Sequence, residues 1–181
     1  MATWNSRGLR GSALEELINR TNEKYEQNRL ALIQKIPTPI TPLEFDKESR
    51  LIKKAYFDQK STVDYIGAVQ GIPVCFDAKE CATDTFSLQN IHEHQVFFME
   101  EFEHQGGVSF FLLDFTGRDV LYYLTFRQFT SFWERKLAGG RKSFRFDELD
   151  PAFIMDPKPG ILVPYLDYIQ LDLDRREGES V

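Results

Sequence analysis

The stretch STVDYIGAVQGIPVCFDAKE, residues 61–80, decides the fold and holds most of the chemistry of the chain. Two runs rich in apolar and β-branched residues flank Gln70-Gly71, a dipeptide suited to a two-residue turn. The stretch therefore predicts a β-hairpin in which Val69 faces Ile72. Strands are predicted over residues 62–69 and 72–80.

Pairing outward from this turn places four polar residues on one face of the predicted hairpin. Asp64 falls opposite Asp77, and Thr62 falls opposite Lys79. Facing residues share a side of a sheet, as do residues two apart on one strand. This arrangement depends on a turn without a bulge, because one extra residue would shift the pairing by one position.

Two facing carboxylates repel each other, which indicates that Asp64 and Asp77 serve something other than stability. A divalent cation would remove the repulsion, and oxygen ligands favour magnesium or manganese over zinc. Lys79 beside such a metal could orient a water molecule or stabilise the negative charge of a phosphorane-like transition state. The alternative is an exposed hairpin, because Asp-x-Lys often arises by chance.

Residues outside the hairpin add weaker indications. Gln95 is the one polar side chain on the apolar stripe of a predicted second helix, where it could contact a metal-bound water or be an ordinary buried amide. Glu15 flanks the apolar stripe of the first helix, and its place in the first turn explains it without a ligand role. His92 and His94 are two residues apart, so their side chains should diverge around the helix.

The pattern of apolar residues and chain breakers predicts an α/β domain with a mixed central sheet flanked by helices. Residues 36–42 contain three prolines, which favour an extended arm. No linker or repeat divides the chain, so residues 1–181 should form one domain, with an irregular C-terminal part and a flexible acidic tail at about 172–181. Helices are predicted over 12–27, 47–57, 88–105 and 127–136, and further strands over 30–35, 108–115, 119–125 and 161–163.

Composition limits the classes of function. Hydrophobic residues make up 42% of the chain and charged residues 28%, as expected of a folded domain. No apolar run reaches the roughly 18 residues of a membrane span, and MATWNSRGLRG at the start lacks the apolar core of a signal peptide. A cytoplasmic protein without a membrane partner is therefore expected. Cys75 and Cys81 are too few for a disulfide framework, and their spacing does not match a zinc site.

The distribution of charge leaves nucleic-acid binding open. The formal net charge is -6, which taken alone argues against such a partner. The basic residues nevertheless form three clusters from which the acidic residues are segregated. Solvated faces explain any one cluster, whereas the three together are compatible with a local DNA-facing surface. Its candidate residues are Arg10, Lys53, Lys54, Lys60, Arg141 and Lys142.

Several short motifs, which occur in one order, together resemble the RecU family of homodimeric Holliday-junction resolvases, nucleases of the PD-(D/E)xK fold. The resemblance covers about residues 10–170, and the order of the motifs is more specific than any one of them. The motifs are RGSALE (10–15), TN (21–22), KIPTP (35–39), AYF (55–57), STVDY (61–65), FDAKE (76–80), LQNIHEHQ (88–95), WERK (133–136) and GRKS (140–143).

The resemblance implies a restriction-endonuclease-like fold with a protruding Pro-rich stalk at about residues 36–60. It implies Mg²⁺, with Mn²⁺ as a substitute, at the positions of Thr62, Asp64, Asp77 and Gln95. It also gives Lys79 a role in stabilising the transition state and places Glu15 beside the site. Asp77 stands where the family carries a glutamate, which is longer by one methylene.

The leading interpretation is a homodimeric, structure-selective endonuclease that resolves four-way junction DNA in recombination and repair. Such a protein would act in the cytoplasm with the nucleoid, and the bacterial recombinase is a further candidate partner. Two alternatives stay open. One is a related nuclease that acts on duplex or other branched DNA, and the other is a non-catalytic DNA-binding or recombinase-interacting protein of the same fold.

Overall fold

The computed structural model describes residues 13–57 and 62–178. These ranges contain four helices and ten strands. In chain order they are α1 (Ala13–Gln27), β1 (Ala31–Lys35), β2 (Ile40–Asp46), β3 (Leu51–Phe57), β4 (Tyr65–Val69), β5 (Ile72–Cys81), β6 (Thr85–Ser87), α2 (Glu93–His104), β7 (Val108–Phe115), β8 (Val120–Thr125), α3 (Phe126–Leu137), β9 (Ser143–Arg145), β10 (Ile154–Met155) and α4 (Tyr165–Gly178). Within these ranges, no helix is both long and apolar enough to cross a membrane.

Six strands form the central sheet in the order β1-β4-β5-β7-β8-β10, and only β5 and β7 run parallel. The hairpin predicted from the sequence is β4–β5, with Val69 facing Ile72. Gln70 and Gly71 have φ angles of 48° and 90°, and positive values at both central residues are those of a type I′ turn. The turn and the register from Val69 opposite Ile72 to Tyr65 opposite Phe76 are therefore confirmed.

Helices cover both faces of the sheet, as the sequence predicted. Neighbouring residues on a strand point to opposite faces, so Phe110 and Phe111 of β7 mark the two sides. Phe110 lies 4.7 Å from Phe76, ring centroid to centroid, and both rings also contact Tyr165 of α4. Phe111 packs against Phe129 of α3 at 4.6 Å. The α/β class with a mixed, helix-flanked sheet is confirmed.

The prediction of a helix over residues 47–57 was wrong, because β3 occupies most of that range. The Asp46 side chain accepts hydrogen bonds from the backbone of Glu48 and Ser49 at 3.0 and 3.3 Å, which closes a turn. The turn brings residues 51–57 back along β2, so the backbone finds its hydrogen-bond partners there. A helical pattern of only eleven residues cannot compete with such a partner.

The hairpin β2–β3 forms a two-stranded sheet of its own, and within the described ranges it pairs with no strand of the central sheet. Large apolar side chains on it are exposed, among them Leu43 at 57% and Phe45 at 55%. Residues 40–57 of the predicted Pro-rich arm thus form a β-hairpin. Its protrusion from the domain stays a prediction.

The C-terminal part also differs from the prediction. It was expected to be irregular, but α4 runs from Tyr165 to Gly178. The flexible tail therefore does not begin at residue 172, where Asp172 is buried within this helix; residues 179–181 lie outside the described range. The strand predicted over 161–163 is absent from the described chain, since Ile161 makes only an isolated bridge to Lys158.

Gly67 provides a test of the packing of the edge strand. It lies on β4 opposite Ile33 of β1, and a Cβ atom added to it would lie 2.1 Å from the carbonyl oxygen of Leu32. Backbone atoms in a ladder cannot move aside as a flexible side chain can. We expect Gly67→Ala to lower the free energy of unfolding by about 2–3 kcal/mol in urea denaturation. Gly178→Ala is the control, because its Cβ would meet nothing within 4 Å; equal losses in the two variants would contradict the close approach.

Candidate active site

Four of the predicted site residues meet on the face of β5 that looks toward α2. We call Asp64, Asp77, Lys79 and Gln95 the carboxylate–lysine cluster. The Asp77 side chain is completely buried, whereas those of Lys79 and Asp64 are 21% and 26% exposed. The buried acid therefore lies at the bottom of the cluster, and the lysine and the second acid form its accessible edge.

Both oxygens of Asp77 accept hydrogen bonds. Oδ1 accepts from the backbone N–H of Asp64 at 2.8 Å. Oδ2 lies 2.6 Å from Lys79 Nζ and accepts from Gln95 Nε2, also at 2.6 Å. Lys79 Nζ is 3.6 Å from Asp64 Oδ2, which accepts in turn from the backbone N–H of Ala78 at 3.0 Å. The ammonium group thus lies between the two carboxylates and offsets their repulsion.

Burial and charge act against each other in this cluster. Burial raises the pKa of Asp77 to about 6; Lys79 opposes this rise, and the charge of Asp64 adds to it. Burial alone would lower the pKa of Lys79, but the carboxylates of Asp77 and Asp64 outweigh it and raise that pKa. The lysine is therefore protonated at neutral pH. Keeping Asp77 ionised in its buried position lowers the stability of the fold.

The pairing of β4 with β5 ends earlier than the sequence predicted. The ladder stops at Tyr65 opposite Phe76, so Thr62 is not paired with Lys79. The reason is that the Asp64 N–H goes to the Asp77 side chain, while the Asp64 carbonyl accepts from Ile36 N at 2.8 Å. Thr62 lies three residues before β4 and is partly buried.

Gln95 holds Asp77 in place. Its Nε2 donates to Asp77, and its Oε1 accepts from the backbone N–H of His92 at 3.0 Å. In a side-chain amide only the oxygen can accept and only the nitrogen can donate, so the two bonds together fix the orientation of the Gln95 amide. A direct Gln95 oxygen ligand would require the amide to turn over and to leave His92 N–H without this acceptor.

The helix predicted over residues 88–105 is interrupted at Ile91 and His92. Ser87 caps a short 3-10 turn, Leu88–Asn90, by accepting from Gln89 N. Ile91 and His92 then adopt extended backbone, and α2 starts at Glu93. The prediction that His92 and His94 diverge was consequently wrong, because His92 precedes the helix. Their rings stack with centroids 5.4 Å apart and planes 14° from parallel.

Glu15 is bound to a neighbouring strand. Its Oε2 lies 2.8 Å from Lys35 Nζ at the end of β1, and its backbone carbonyl accepts from the Tyr65 hydroxyl at 3.4 Å. Lys35 faces Tyr65 in the β1–β4 ladder. The ion pair gives Glu15 a structural role beside the start of β4, and its part in catalysis stays a prediction.

The predicted DNA-binding residues that the structure describes lie on two separate stretches of the chain, and their role in binding DNA stays a prediction. Lys53 and Lys54 lie on β3, where Lys53 Nζ is 3.1 Å from Asp46. Arg141 and Lys142 precede β9, and Arg141 pairs with Glu148 at 3.0 Å. Lys142 is exposed, and its backbone carbonyl accepts from Leu88 N at 3.0 Å. Arg10 and Lys60 lie outside the described residues.

Glu80 is a supporting residue that was assigned no role from the sequence. Its Oε1 accepts from Leu14 N in the first turn of α1 at 3.1 Å, where a carboxylate also suits the helix dipole. Strand alternation places Glu80 on the opposite face of β5 from Asp77 and Lys79. That alternation is the signal that could have separated its role from theirs.

The donor set of the cluster fits a hard divalent cation. Asp64 and Asp77 offer carboxylate oxygens, and their mutual repulsion is offset here by one ammonium group. In residues 13–57 and 62–178, nowhere do three or more His, Cys, Asp or Glu side chains lie together so that they could share a metal ion. A metal at the cluster would thus have the two carboxylates, with water or a neutral oxygen such as that of Thr62 completing its shell.

Comparison with known proteins agrees with the geometry. A family model described as "Recombination protein U" matches residues 9–171. The protein named "Holliday junction resolvase RecU" from Geobacillus sp. (strain WCH70) is 42% identical over 147 residues, which cover 79% of this chain and 73% of that protein. Proteins of the same name from Bacillus licheniformis and Levilactobacillus brevis are 39% and 40% identical, over 90% and 88% of this chain and 82% of each relative. The chain belongs to the RecU family.

Proposed function

We propose that this chain is a structure-selective endonuclease that resolves four-way DNA junctions by magnesium-dependent hydrolysis of a phosphodiester. The observation that carries the proposal is the buried Asp77, held between Asp64 and Lys79 on the β4–β5 hairpin. A purely binding protein gains nothing from a carboxylate whose burial costs stability. The choice of a four-way junction as the substrate follows the name of the relatives, "Holliday junction resolvase RecU".

The metal in this proposal is Mg²⁺, with Mn²⁺ as a substitute. Asp64 and Asp77 would hold it, and Thr62 is a candidate third ligand. When bound, the metal supplies Lewis-acid stabilisation of charge and lowers the pKa of a bound water. Gln95 acts through Asp77, because its amide fixes the direction in which that carboxylate faces. Glu15 remains a candidate at the edge of the site.

Lys79 supplies the positive charge for the reacting phosphate. Its ammonium is protonated, partly exposed and anchored by Asp77, so it can donate a hydrogen bond to a non-bridging phosphate oxygen. During hydrolysis the water oxygen forms a new bond to phosphorus while the bond to the 3′ oxygen breaks. The products are a 5′-phosphate and a 3′-hydroxyl, which a ligase can seal. Negative charge grows on the phosphate oxygens in the transition state, where a fixed cation stabilises it.

A homodimer suits this function. A four-way junction offers two equivalent strands for cutting, and two sites related by a two-fold axis match them. We place the protein with the nucleoid in the cytoplasm, because that is where bacterial recombination produces such junctions. Binding to a recombinase stays a prediction.

The test is cleavage of a substrate panel by the full chain in Mg²⁺ or in chelator. The panel contains a mobile four-way junction, a flap and a plain duplex of the same sequences. We expect symmetric cuts in the junction, and in Mg²⁺ only. Preferred cutting of flap or duplex would indicate the related-nuclease alternative, and binding without cutting would indicate the non-catalytic one.

The β2–β3 hairpin can be removed without breaking another strand pair. Ile40 faces Phe57 at its base, so a few glycine residues can replace 41–56 and join the two ends. We expect this variant to unfold cooperatively, as wild type should, but to cut junctions about tenfold more slowly or worse, because the stalk is proposed to contact the junction. A variant with the hairpin intact and Phe45→Ser is the matched control for the exposed apolar side chains. Normal junction cutting after the excision would remove the proposed role of the stalk.

A further inference from the structure

A groove next to the carboxylate–lysine cluster has no role in the mechanism described above. We call it the flanking groove, and its volume is about 540 Å³. It is lined by Gln89, Ile91, His92, Glu93, His94 and Lys136. The chain of contacts from the cluster is short. Asp77 is bonded to Gln95, and Gln95 is bonded to the backbone of His92 in the groove wall.

Lys136 is the cation of this groove. Its Nζ lies 3.4 Å from the centre of the Trp133 ring, so a buried indole holds the ammonium in position. Within residues 13–57 and 62–178, no carboxylate pairs with it. Arg135 and Arg141, by contrast, both pair with Glu148. Lys136 thus keeps its charge available for an external anion in a protein of net charge -6.

Another part of the groove lining is aromatic. The stacked rings of His92 and His94 form a planar surface, and the buried Ile91 contributes to the lining. A cation close to a flat aromatic surface matches one nucleotide, because the phosphate takes the charge while the sugar or base packs on the rings. A second exposed lysine, Lys142, contacts the backbone of Leu88, the residue that precedes Gln89 of the groove lining.

We propose that the flanking groove binds the cleaved DNA strand at a nucleotide beside the scissile phosphate, and that Lys136 contacts its phosphate directly. This inference rests on the proposed function and adds a second point of contact to it. One contact at Lys79 positions the phosphate that reacts, and a second contact at Lys136 fixes the direction of the strand through the site. Two fixed points restrict the rotation that a single ion pair allows.

The test couples a change in the protein to a change in the DNA. A series of four-way junctions carries one neutral methylphosphonate each, moved along the phosphates that flank the cut. Wild type, Lys136→Gln, Lys136→Arg and Lys24→Gln are compared. Lys24 lies on α1, which packs on the other face of the sheet, and is the charge-matched control. Equilibrium binding without magnesium and single-turnover cleavage with magnesium are measured for every pair.

We expect Lys136→Gln to weaken junction binding several-fold and to lower the slope of log K against log salt by about one. One methylphosphonate position should weaken wild type and Lys24→Gln but have little further effect on Lys136→Gln. Lys136→Arg, which keeps the charge and the contact with Trp133, should behave as wild type. Additive effects at every position, or an unchanged salt slope, would overturn the inference.

The two proposals fail in different ways. Wild type that binds junctions with the expected coupling but does not cut them would leave the groove assignment standing and remove the proposed catalysis. Wild type that cuts junctions while Lys136 shows no coupling would do the reverse. Absence of junction binding by wild type would overturn both.

Discussion

Replacing Lys79 with alanine is expected to slow junction cleavage at least about a hundredfold and to leave junction binding within a few-fold of wild type. Lys79 is one of 22 lysine and arginine residues, so its loss removes about one phosphate contact from total affinity. In the proposed mechanism its Nζ, 2.6 Å from Asp77 Oδ2, nevertheless faces the phosphate oxygens on which charge grows only during the reaction. Single-turnover cleavage in Mg²⁺ gives the rate, and binding in Ca²⁺, which blocks the chemistry, gives the affinity on the same substrate.

Two comparisons make the Lys79 result interpretable. Lys24→Ala removes an exposed lysine from α1 and should cut normally. Thermal unfolding of Lys79→Ala shows whether the fold survives, because Asp77 loses its charged partner and becomes harder to keep ionised. Parallel loss of binding, stability and cutting would mean that Lys79 is structural. Near-normal cutting would place the catalytic centre elsewhere.

The sequence was most informative where local rules determine structure. Gln70-Gly71 can adopt positive φ angles, which fixes the two-residue turn, and the turn then sets the register up to Tyr65 opposite Phe76. The juxtaposition of Asp64 and Asp77 followed from counting residues outward from that turn. These features needed no knowledge of distant parts of the chain.

The sequence was least informative where a distant partner decides the outcome. α4 was missed because Asp172 interrupts its apolar face. Asp172 is buried there beside Arg176 at 2.9 Å and the Tyr123 hydroxyl at 3.3 Å. The extended backbone at His92 depends in the same way on the side chain of Gln95, which accepts its N–H. The strand β3 required its partner β2, and no pattern within residues 47–57 identifies that partner.

The buried Asp77 leads to the second large effect. Asp77→Asn should cut junctions about a thousandfold more slowly, since removing one charged metal ligand forfeits several kcal/mol of stabilisation and about 4 kcal/mol corresponds to that factor. We expect Mg²⁺ to raise the melting temperature of wild type, because a cation that binds only the folded state stabilises it by mass action, and we expect the same variant to lose this rise. Differential scanning fluorimetry with and without Mg²⁺ measures this rise, and Asp174→Asn, an exposed carboxylate on α4, is the control.

The pH dependence of metal-free stability gives an independent reading of the same residue. Burial raises the pKa of Asp77 from 3.8 to about 6 in the folded state, so the folded protein holds this proton more tightly than the unfolded chain. The resulting stability is fully present below pH 3.8 and is lost as the pH rises through about 6. The loss amounts to at most about 3 kcal/mol. Urea denaturation between pH 4 and pH 8 in chelator should therefore show wild type losing stability relative to Asp77→Asn, with the difference levelling off above pH 7. Parallel curves for the two proteins would show that Asp77 is not held as a buried carboxylate, and Mg²⁺ should restore most of the lost stability at pH 8 in wild type alone.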